Sequence, residues 1–286
     1  MPTNRETYFS LIKENNKYLN RNVVNTILCF TNGFDCNLTL YKNFDKEVEN
    51  YGNFLKLVDR VRNGEPYQYV IGKANFIDLT FNVEPGVLIP RQETEELVIG
   101  TKVMIDKIFP PFSKLTIADV CTGSGVIGIY LKKLFRLSTV YATDISEQCL
   151  RVTEENSRMH KLPVETLQGD LLQPLIDKGI KLDVLVCNPP YIGDPSTIDE
   201  QVWKYEPHQA LLAKPKTLFY ERIFKDADRI MNKNAILAFE IGEDMEDELC
   251  ALVEQYFPNS AYKLSKDMYG KLRFLYIMIK EDGNYA

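Results

Sequence analysis

The sequence is poor in histidine and has no closely paired cysteines. Its 286 residues contain only His160 and His208. Six cysteines lie at positions 29, 36, 121, 149, 187 and 250, and no two of them form a C-x-x-C pair. Zinc sites need Cys or His ligands at short, regular spacing, so we predict no structural metal site. We interpret the cysteines as small apolar residues in a reducing compartment and expect a cytoplasmic protein.

Long apolar runs and surplus positive charge are also missing. No stretch reaches the roughly 18 apolar residues that a membrane-spanning helix needs, and the opening residues MPTNRETYFSLIKENN lack the apolar centre of a signal peptide. The 40 acidic and 34 basic residues give a net charge of −6. Because sequence-independent binding to nucleic acid depends on clustered Lys and Arg, we expect no direct nucleic-acid binding. We also expect no membrane association, and a monomer.

The first part of the chain has a helical pattern. Up to about residue 72, the segments YFSLIKENNKYL, VVNTILCF and DKEVENYGNFLKLVDRVRNG have apolar residues three and four positions apart, as amphipathic helices do. The next segment, KANFIDLTFNVEPGVLI, alternates apolar and polar residues and contains Pro85-Gly86, which predicts a β-hairpin that turns at this pair. We therefore predict a small all-α domain over 1–72, a β-hairpin linker over 73–90 and a further domain over 91–286.

From Lys114 onward, strand patterns alternate with helical ones. The predicted strands are LTIADVC, STVYATD, VETLQGD, LDVLVCN and AILAFEIG. This alternation predicts a mostly parallel sheet covered by helices on both faces. The last two strands, AYKLSKD and KLRFLYIMIK, are so close in sequence that only an antiparallel return can join them. We predict an α/β fold with a Rossmann-like, doubly wound sheet and an antiparallel last strand.

A glycine-rich turn follows the first predicted strand. In open α/β sheets, ligands bind beyond the carboxyl ends of the strands, and DVCTGSG lies at such an end. Gly123 and Gly125 allow the backbone to approach a ligand where a Cβ would collide. Together with Gly128 they also match G-x-G-x-x-G, so a nicotinamide dinucleotide is an alternative ligand at this point.

Acidic residues follow the next two strands. Asp144 ends the second strand, where its carboxylate can accept hydrogen bonds from two ribose hydroxyls or can cap the helix that follows. Asp170 ends the third strand and can accept from an adenine amine or act only as a cap. Leu171 beside it can provide an apolar wall.

The fourth strand ends in NPPY, residues 188–191. The side-chain oxygen of Asn188 and the carbonyl of Pro189 can accept both N–H groups of a planar amide or amine. Pro189 and Pro190 fix two φ angles, and Tyr191 offers a flat face. Acceptors placed where positive charge grows on nitrogen stabilise the transition state of methyl transfer. The alternative is a rigid turn. A nicotinamide cofactor fits less well, because nothing here resembles a hydride-transfer site.

In this order, DVCTGSG, ATD and NPPY resemble the class I S-adenosylmethionine-dependent methyltransferases that modify amino groups. Adenine methyltransferases of DNA share NPPY, so a DNA or RNA adenine amino-methyltransferase is the alternative. Two longer segments, EPYQYVIGKANFIDLTFNVEPGVLIPRQETEELV and NPPYIGDPSTIDEQVWKYEPHQALLA, resemble the HemK/PrmC family. These protein-(glutamine) methyltransferases modify the Gly-Gly-Gln loop of peptide-chain release factors. The resemblance spans roughly residues 65–280.

The resemblance implies S-adenosylmethionine as cofactor and release factors as protein substrate, docked by the helical domain. It implies that the glycine turn holds the methionine end of the cofactor, Asp144 the ribose, and Asp170 with Leu171 the adenine region. The predicted cofactor-binding residues are Asp119, Cys121, Thr122, Gly123, Ser124, Gly125, Asp144, Asp170, Leu171 and Asn188. The predicted catalytic residues are Asn188, Pro189, Pro190 and Tyr191.

Two positions depart from the family pattern. Cys121 replaces the usual first glycine of the turn, which puts cofactor affinity in question, and Gln92 replaces a proline. The resemblance also implies that Leu88, Pro90 and Arg91 lie near the donor methyl group or the substrate entrance. Arg91 has an alternative interpretation as an ion pair with Glu95. Trp203 and Tyr205 fit either core packing or a rim for the partner.

Overall fold

The structure, a computed structural model, describes residues 1–281 and divides the chain into two compact units. The first unit joins Met1–Lys73 with Asp199–Tyr205, and the second joins Ala74–Ile198 with the chain from Glu206 onward. Within residues 1–281, no helix combines the length and the apolar character that crossing a membrane requires.

The first unit is built from helices. They are α1 (Asn4–Lys13), α2 (Arg21–Thr31), α3 (Asn37–Lys42), α4 (Tyr51–Arg62) and α5 (Tyr67–Ile71). A capping box starts α1, in which Thr3 and Glu6 each accept the other's backbone N–H. Losing such a cap costs about 1 kcal/mol. The apolar helix faces meet in a core around Ile27, Leu40 and Phe54, which is the packing that their spacing predicts.

A short segment from much later in the chain belongs to this first unit. It contains the helix Glu200–Tyr205. The side-chain amide of Gln201 donates to the carbonyl of Gly64 at 2.9 Å, and the hydroxyl of Tyr205 donates to the carbonyl of Asn63 at 3.3 Å. The chain therefore leaves the second unit shortly after the NPPY motif and returns to it at Glu206.

The predicted β-hairpin is present, but its turn is elsewhere. Its strands are β1 (Lys73–Phe76) and β2 (Leu79–Asn82). The turn is formed by Ile77, at φ +54°, and Asp78. The N–H of Ile77 donates to the carboxylate of Glu95 at 2.8 Å. Pro85-Gly86 does form a turn, in which the N–H of Val87 donates to the carbonyl of Glu84 at 3.1 Å. That turn lies after β2, so the prediction that the hairpin reverses there is wrong.

The second unit contains a seven-stranded sheet with helices around it. The strands are β3 (Thr116–Val120), β4 (Thr139–Asp144), β5 (Glu165–Gln168), β6 (Leu182–Cys187), β7 (Met231–Glu240), β8 (Ala261–Lys266) and β9 (Leu272–Ile279). The helices from this part of the chain are α6 (Gln92–Ile108), α7 (Val126–Leu134), α8 (Glu147–His160), α9 (Gln173–Asp177), α10 (Glu200–Tyr205, in the first unit), α11 (Leu218–Ala227) and α12 (Glu246–Tyr256).

The strand order is β5-β4-β3-β6-β7-β9-β8. Pairing is parallel from β5 to β7 and antiparallel between β7 and β9 and between β8 and β9. The predicted doubly wound sheet with an antiparallel last strand is confirmed. The chain runs outward from β3 through β4 to β5 and then returns to the other side of β3 as β6. This reversal creates the crevice in which such sheets bind ligands.

Apolar cores cover both faces of the sheet. Neighbouring residues of a strand point to opposite faces. In β6, Leu185 packs on one face with Tyr220 and Phe239, and Val186 packs on the other with Leu97. Burying one such side chain contributes about 1.5–3 kcal/mol. Because both faces of the central strands are covered, β6 and the second half of β7 are almost entirely apolar, whereas the outer strands β5 and β8 contain polar and exposed residues.

Candidate active site

The ends of β3 and β6 bring the two predicted motifs together. Val120 and Cys187 are register partners in these parallel strands. The residues that follow them, Cys121 and Asn188, therefore leave the sheet side by side at its carboxyl edge. The glycine turn and NPPY meet here because of strand pairing, although more than sixty residues separate them in sequence.

Backbone geometry explains the glycines of the turn. Gly123 has φ +58° and Gly125 has φ +83°, a region that L-residues other than glycine rarely adopt. A Cβ on Gly125 would lie 2.8 Å from Cγ2 of Thr153, whereas a Cβ on Gly123 would meet no atom within 4 Å. Gly125 is therefore required by packing, and Gly123 leaves an open cradle. Cys121 also has a positive φ, +60°, so its Cβ is accommodated with some backbone strain.

Asp119 lies beneath the turn and is fully buried. One carboxylate oxygen, Oδ2, accepts from the hydroxyl of Thr122 at 2.6 Å and from the N–H of Gly128 at 2.8 Å. Within residues 1–281, the other oxygen, Oδ1, has no hydrogen-bond partner. Burial raises the pKa of Asp119 to about 7. Its position is that of a support for the turn, behind the residues that face the cavity.

Asp144 ends β4 and faces the cavity. Its Oδ2 accepts from the N–H of Gly123 at 3.0 Å, and its Oδ1 accepts from the N–H of Ser146 at 2.9 Å. The N-cap of α8 is Ser146, so the alternative interpretation of Asp144 as the cap is wrong. Burial raises the pKa of Asp144. Each of its oxygens keeps lone-pair capacity for a further donor, such as a ribose hydroxyl.

Asp170 and Leu171 form part of the same wall. Asp170 forms an ion pair with Arg222 of α11 at 2.5 Å, and both side chains are partly exposed. Leu171 has φ +50°, and its carbonyl accepts from the hydroxyl of Thr143 at 3.0 Å. Phe219 of α11 adds an apolar surface. This mixture of apolar surface and a rim carboxylate suits a flat heterocycle.

The residues of NPPY have different surroundings. Asn188 and Pro190 line the cavity. The side-chain Nδ2 of Asn188 donates to the hydroxyl of Thr94 at 3.1 Å. Tyr191 is not among the described residues that line the cavity. Its hydroxyl donates to the carboxylate of Glu240 at 3.2 Å. Pro189 lies between Asn188 and Pro190 in sequence and is buried.

Arg91 lines another side of the cavity, together with Leu88 and Pro90. Its guanidinium lies 2.6 Å from the carboxylate of Glu206, so the alternative interpretation of an ion pair with Glu95 is wrong. The carboxylate of Glu95 instead accepts the N–H of Ile77. Glu206 also accepts from the N–H of Ile89 at 3.2 Å.

These elements enclose a cavity of about 330 Å³ within the second unit. This is in the range of pockets that hold ligands of moderate size. Among the predicted cofactor-binding residues, those that line it are Cys121, Thr122, Gly123, Ser124, Asp144, Asp170, Leu171 and Asn188. The lining of this cavity fits S-adenosylmethionine. It combines an open backbone cradle at Gly123, a carboxylate with spare acceptor capacity at Asp144 and an apolar wall around Leu171.

Several residues that line the cavity or support it have no role predicted from the sequence. They are Thr94, Glu206, Gln209, Phe219, Arg222 and Glu240. For Glu206 and Gln209 the segment EPHQAL was a signal, since it forms part of the family resemblance. Glu240 ends an apolar strand as Asp144 does, but it belongs to none of the motifs that carry the family resemblance.

Comparison with known proteins identifies the family. Residues 78–206 match the model of the methyltransferase small domain. The chain is 38% identical to a release factor glutamine methyltransferase of Staphylococcus aureus, over 76% of this chain and 77% of that one. It is 35% identical to the Bacillus anthracis protein of the same name, over 95% and 96% of the two chains. This chain belongs to the release factor glutamine methyltransferase family. The predicted family is therefore confirmed.

A solved structure supports the fold of this family member. The hMettl16 catalytic domain, crystallised with a MAT2A 3′UTR hairpin, superposes with a TM-score of 0.52 at 16% identity, over 70% of this chain and 74% of that one. At this identity the likeness shows the class I methyltransferase fold alone. The predicted cofactor, S-adenosylmethionine, follows from family membership and agrees with the residues that line the cavity.

Proposed function

We propose that this protein transfers a methyl group from S-adenosylmethionine to the side-chain amide nitrogen of the glutamine in the Gly-Gly-Gln motif of peptide-chain release factors. The main support for this proposal is the position of Asn188 in the wall of the cavity that the glycine turn and Asp144 also line. An acceptor for amide N–H groups thus shares one cavity with a cofactor cradle. Relatives that match most of the chain bear the name of this activity.

When bound, S-adenosylmethionine supplies an electrophilic methyl group on a positively charged sulfur. The protein's task is to align a weakly nucleophilic amide nitrogen with that group. In this proposal, Oδ1 of Asn188 and the carbonyl of Pro189 accept the two N–H groups of the glutamine amide. Both contacts strengthen as positive charge grows on the nitrogen, so they stabilise the transition state more than the ground state. The excess proton then leaves the nitrogen to water.

We further propose that residues 1–72 dock the release factor and that residues 91–286 carry the reaction, with the hairpin region 73–90 between them. In this assignment Pro190 and Tyr191 support the substrate slot, Tyr191 from behind Asn188. Because release factors act in translation, we propose a cytoplasmic location. We also propose a monomer that does not contact nucleic acid itself, and the net charge of −6 supports the second of these points. The alternative, a DNA or RNA adenine amino-methyltransferase, is less favoured, since the relatives act on release factors by name.

Mass spectrometry of a purified release factor, incubated with this protein and S-adenosylmethionine, tests the proposal. We expect one added methyl group on the glutamine of the Gly-Gly-Gln peptide. A release factor with alanine at that glutamine is the control and should gain none. Transfer of labelled methyl groups into DNA or RNA, with none into the release factor, would instead support the alternative.

A further inference from the structure

A buried carboxylate lies behind Asn188. Glu240 is the last residue of β7 and is 3% exposed. Its Oε2 accepts from the hydroxyl of Thr94 at 2.7 Å, and its Oε1 accepts from the hydroxyl of Tyr191. The hydroxyl oxygen of Thr94 accepts in turn from Nδ2 of Asn188. A continuous chain of hydrogen bonds therefore joins the end of β7 to the end of its neighbour β6.

Donor and acceptor chemistry determines the direction of every bond in this chain. A guanidinium only donates, and Nη1 of Arg273 lies 3.5 Å from the hydroxyl oxygen of Tyr191. The hydroxyl hydrogen of Tyr191 is therefore directed to Glu240. An ionised carboxylate only accepts, so the hydrogen of Thr94 is directed to Glu240 as well. The oxygen of Thr94 must then accept, and the part of Asn188 that faces it must be the NH2 group.

We infer that Thr94 and Glu240 are positioning residues, which hold the amide of Asn188 with Nδ2 inward and Oδ1 presented to the substrate. This inference rests on the proposed function, because the group that Oδ1 receives is the N–H of the glutamine amide. A side-chain amide has two orientations related by a half-turn. The inverted one would present NH2, which cannot accept an N–H. Because the amide of Asn188 is already oriented before the substrate binds, no free energy is spent on turning it during the reaction.

The charges around Glu240 make this arrangement sensitive to pH. Burial raises the pKa of Glu240, and the charge of Glu93 in the first turn of α6 adds to this effect. The hydrogen bonds from Thr94 and Tyr191 and the charge of Arg273 on β9 oppose it, and the net effect is a raised pKa. A proton on Oε2 would reverse the bond to Thr94, which could then donate to Oδ1 of Asn188. Acidification should therefore reduce turnover as the amide loses its single orientation.

Three substitutions on α6 and one on β7 test the inference. Thr94→Val removes the hydroxyl while keeping the side-chain shape, and Glu240→Gln permits the reversed chain. We expect roughly 10-fold lower kcat for each, with unchanged affinity for S-adenosylmethionine. Thr94→Ser restores the hydroxyl and should recover most of the lost turnover. Thr101→Val is the matched control, because Thr101 is also buried in α6 but its hydroxyl donates to the carbonyl of Leu97.

Equal losses of turnover and cofactor affinity in Thr94→Val, or no loss of turnover, would overturn the inference. A second measurement does not depend on the substrate. In protein labelled with ¹⁵N-asparagine, the side-chain signal of Asn188 is identified by its disappearance in Asn188→Asp. Hydrogen exchange at Nδ2 should be slowed in the wild type and faster in Thr94→Val. Unchanged exchange would refute the positioning role, whereas absence of methyl transfer by the wild type would refute only the proposed function.

Discussion

The guanidinium of Arg91 lies 2.6 Å from the carboxylate of Glu206, although the two residues are 115 positions apart in sequence. The side chain of Glu206 is 2% exposed, and that of Arg91 is 33% exposed. Glu206 is also the residue at which the chain returns to the second unit. The ion pair therefore joins the segment before α6 to the segment after α10, and both segments line the cavity.

Removing the charge of Glu206 should weaken this connection. Glu206→Gln keeps an acceptor for the N–H of Ile89 but leaves Arg91 without its anionic partner. Because Arg91 is partly solvated, we expect the free energy of unfolding to fall by about 2 kcal/mol, which is less than the cost of breaking a fully buried ion pair. The melting temperatures of the wild type and of Glu206→Gln measure this loss. Glu95→Gln is the control, since Glu95 does not pair with Arg91, and an equal shift in both variants would contradict the expectation.

Asn188 should matter for the reaction rather than for cofactor binding. We expect Asn188→Ala to lower kcat by roughly 100-fold or more, because it removes an acceptor that acts mainly in the transition state. Cofactor affinity, measured by calorimetry, should stay nearly unchanged. A parallel loss of both quantities would mean that Asn188 helps to hold the cofactor, and its proposed role would have to be abandoned.

Asp144 should show the opposite behaviour. Asp144→Ala removes the proposed acceptor for the ribose hydroxyls and also the partner of the N–H of Gly123, so we expect S-adenosylmethionine to bind roughly 10- to 100-fold more weakly. Calorimetric titration measures this directly. Asp170→Ala is the comparison variant and should cost less, because Asp170 is partly exposed and paired with Arg222. An unchanged affinity for Asp144→Ala would rule out the ribose contact.

The buried carboxyl of Asp119 should make stability depend on pH. Its pKa is about 7 in the fold and about 4 in an unfolded chain. Between these values the unfolded chain loses this proton while the folded protein retains it, so stability falls as pH rises, by roughly 4 kcal/mol in total. Above pH 7 the loss from this group is complete.

The variant Asp119→Asn isolates this effect, because its amide does not titrate and resembles the protonated acid. We expect the wild type to lose stability relative to the variant between pH 5 and pH 8. Urea unfolding of both proteins at pH 5 and at pH 8 gives the difference between their free energies of unfolding at each pH. A difference that does not change with pH would show that Asp119 titrates as it does in the unfolded chain.

Much of this protein could be predicted from local patterns in its sequence. The largely apolar runs at residues 116–120 and 182–187 identify strands because a strand covered on both faces is built mainly from apolar residues. The short connection before β9 allows only an antiparallel return. The glycine turn, Asp144 and Asn188 are recognisable because each ends or immediately follows such a strand, and parallel strands present these ends at one edge.

Tertiary structure alone decided which distant residues meet at that edge. Thr94, Asn188 and Glu240 form one hydrogen-bond chain because α6, β6 and β7 pack together, and no periodicity within a segment specifies a partner about a hundred residues away. The same reason explains why the alternative partner considered for Arg91 is wrong: Glu95 is close in sequence, whereas the buried Glu206 is close in space. Local patterns determined the elements and their order, and long-range packing determined the contacts that orient the site.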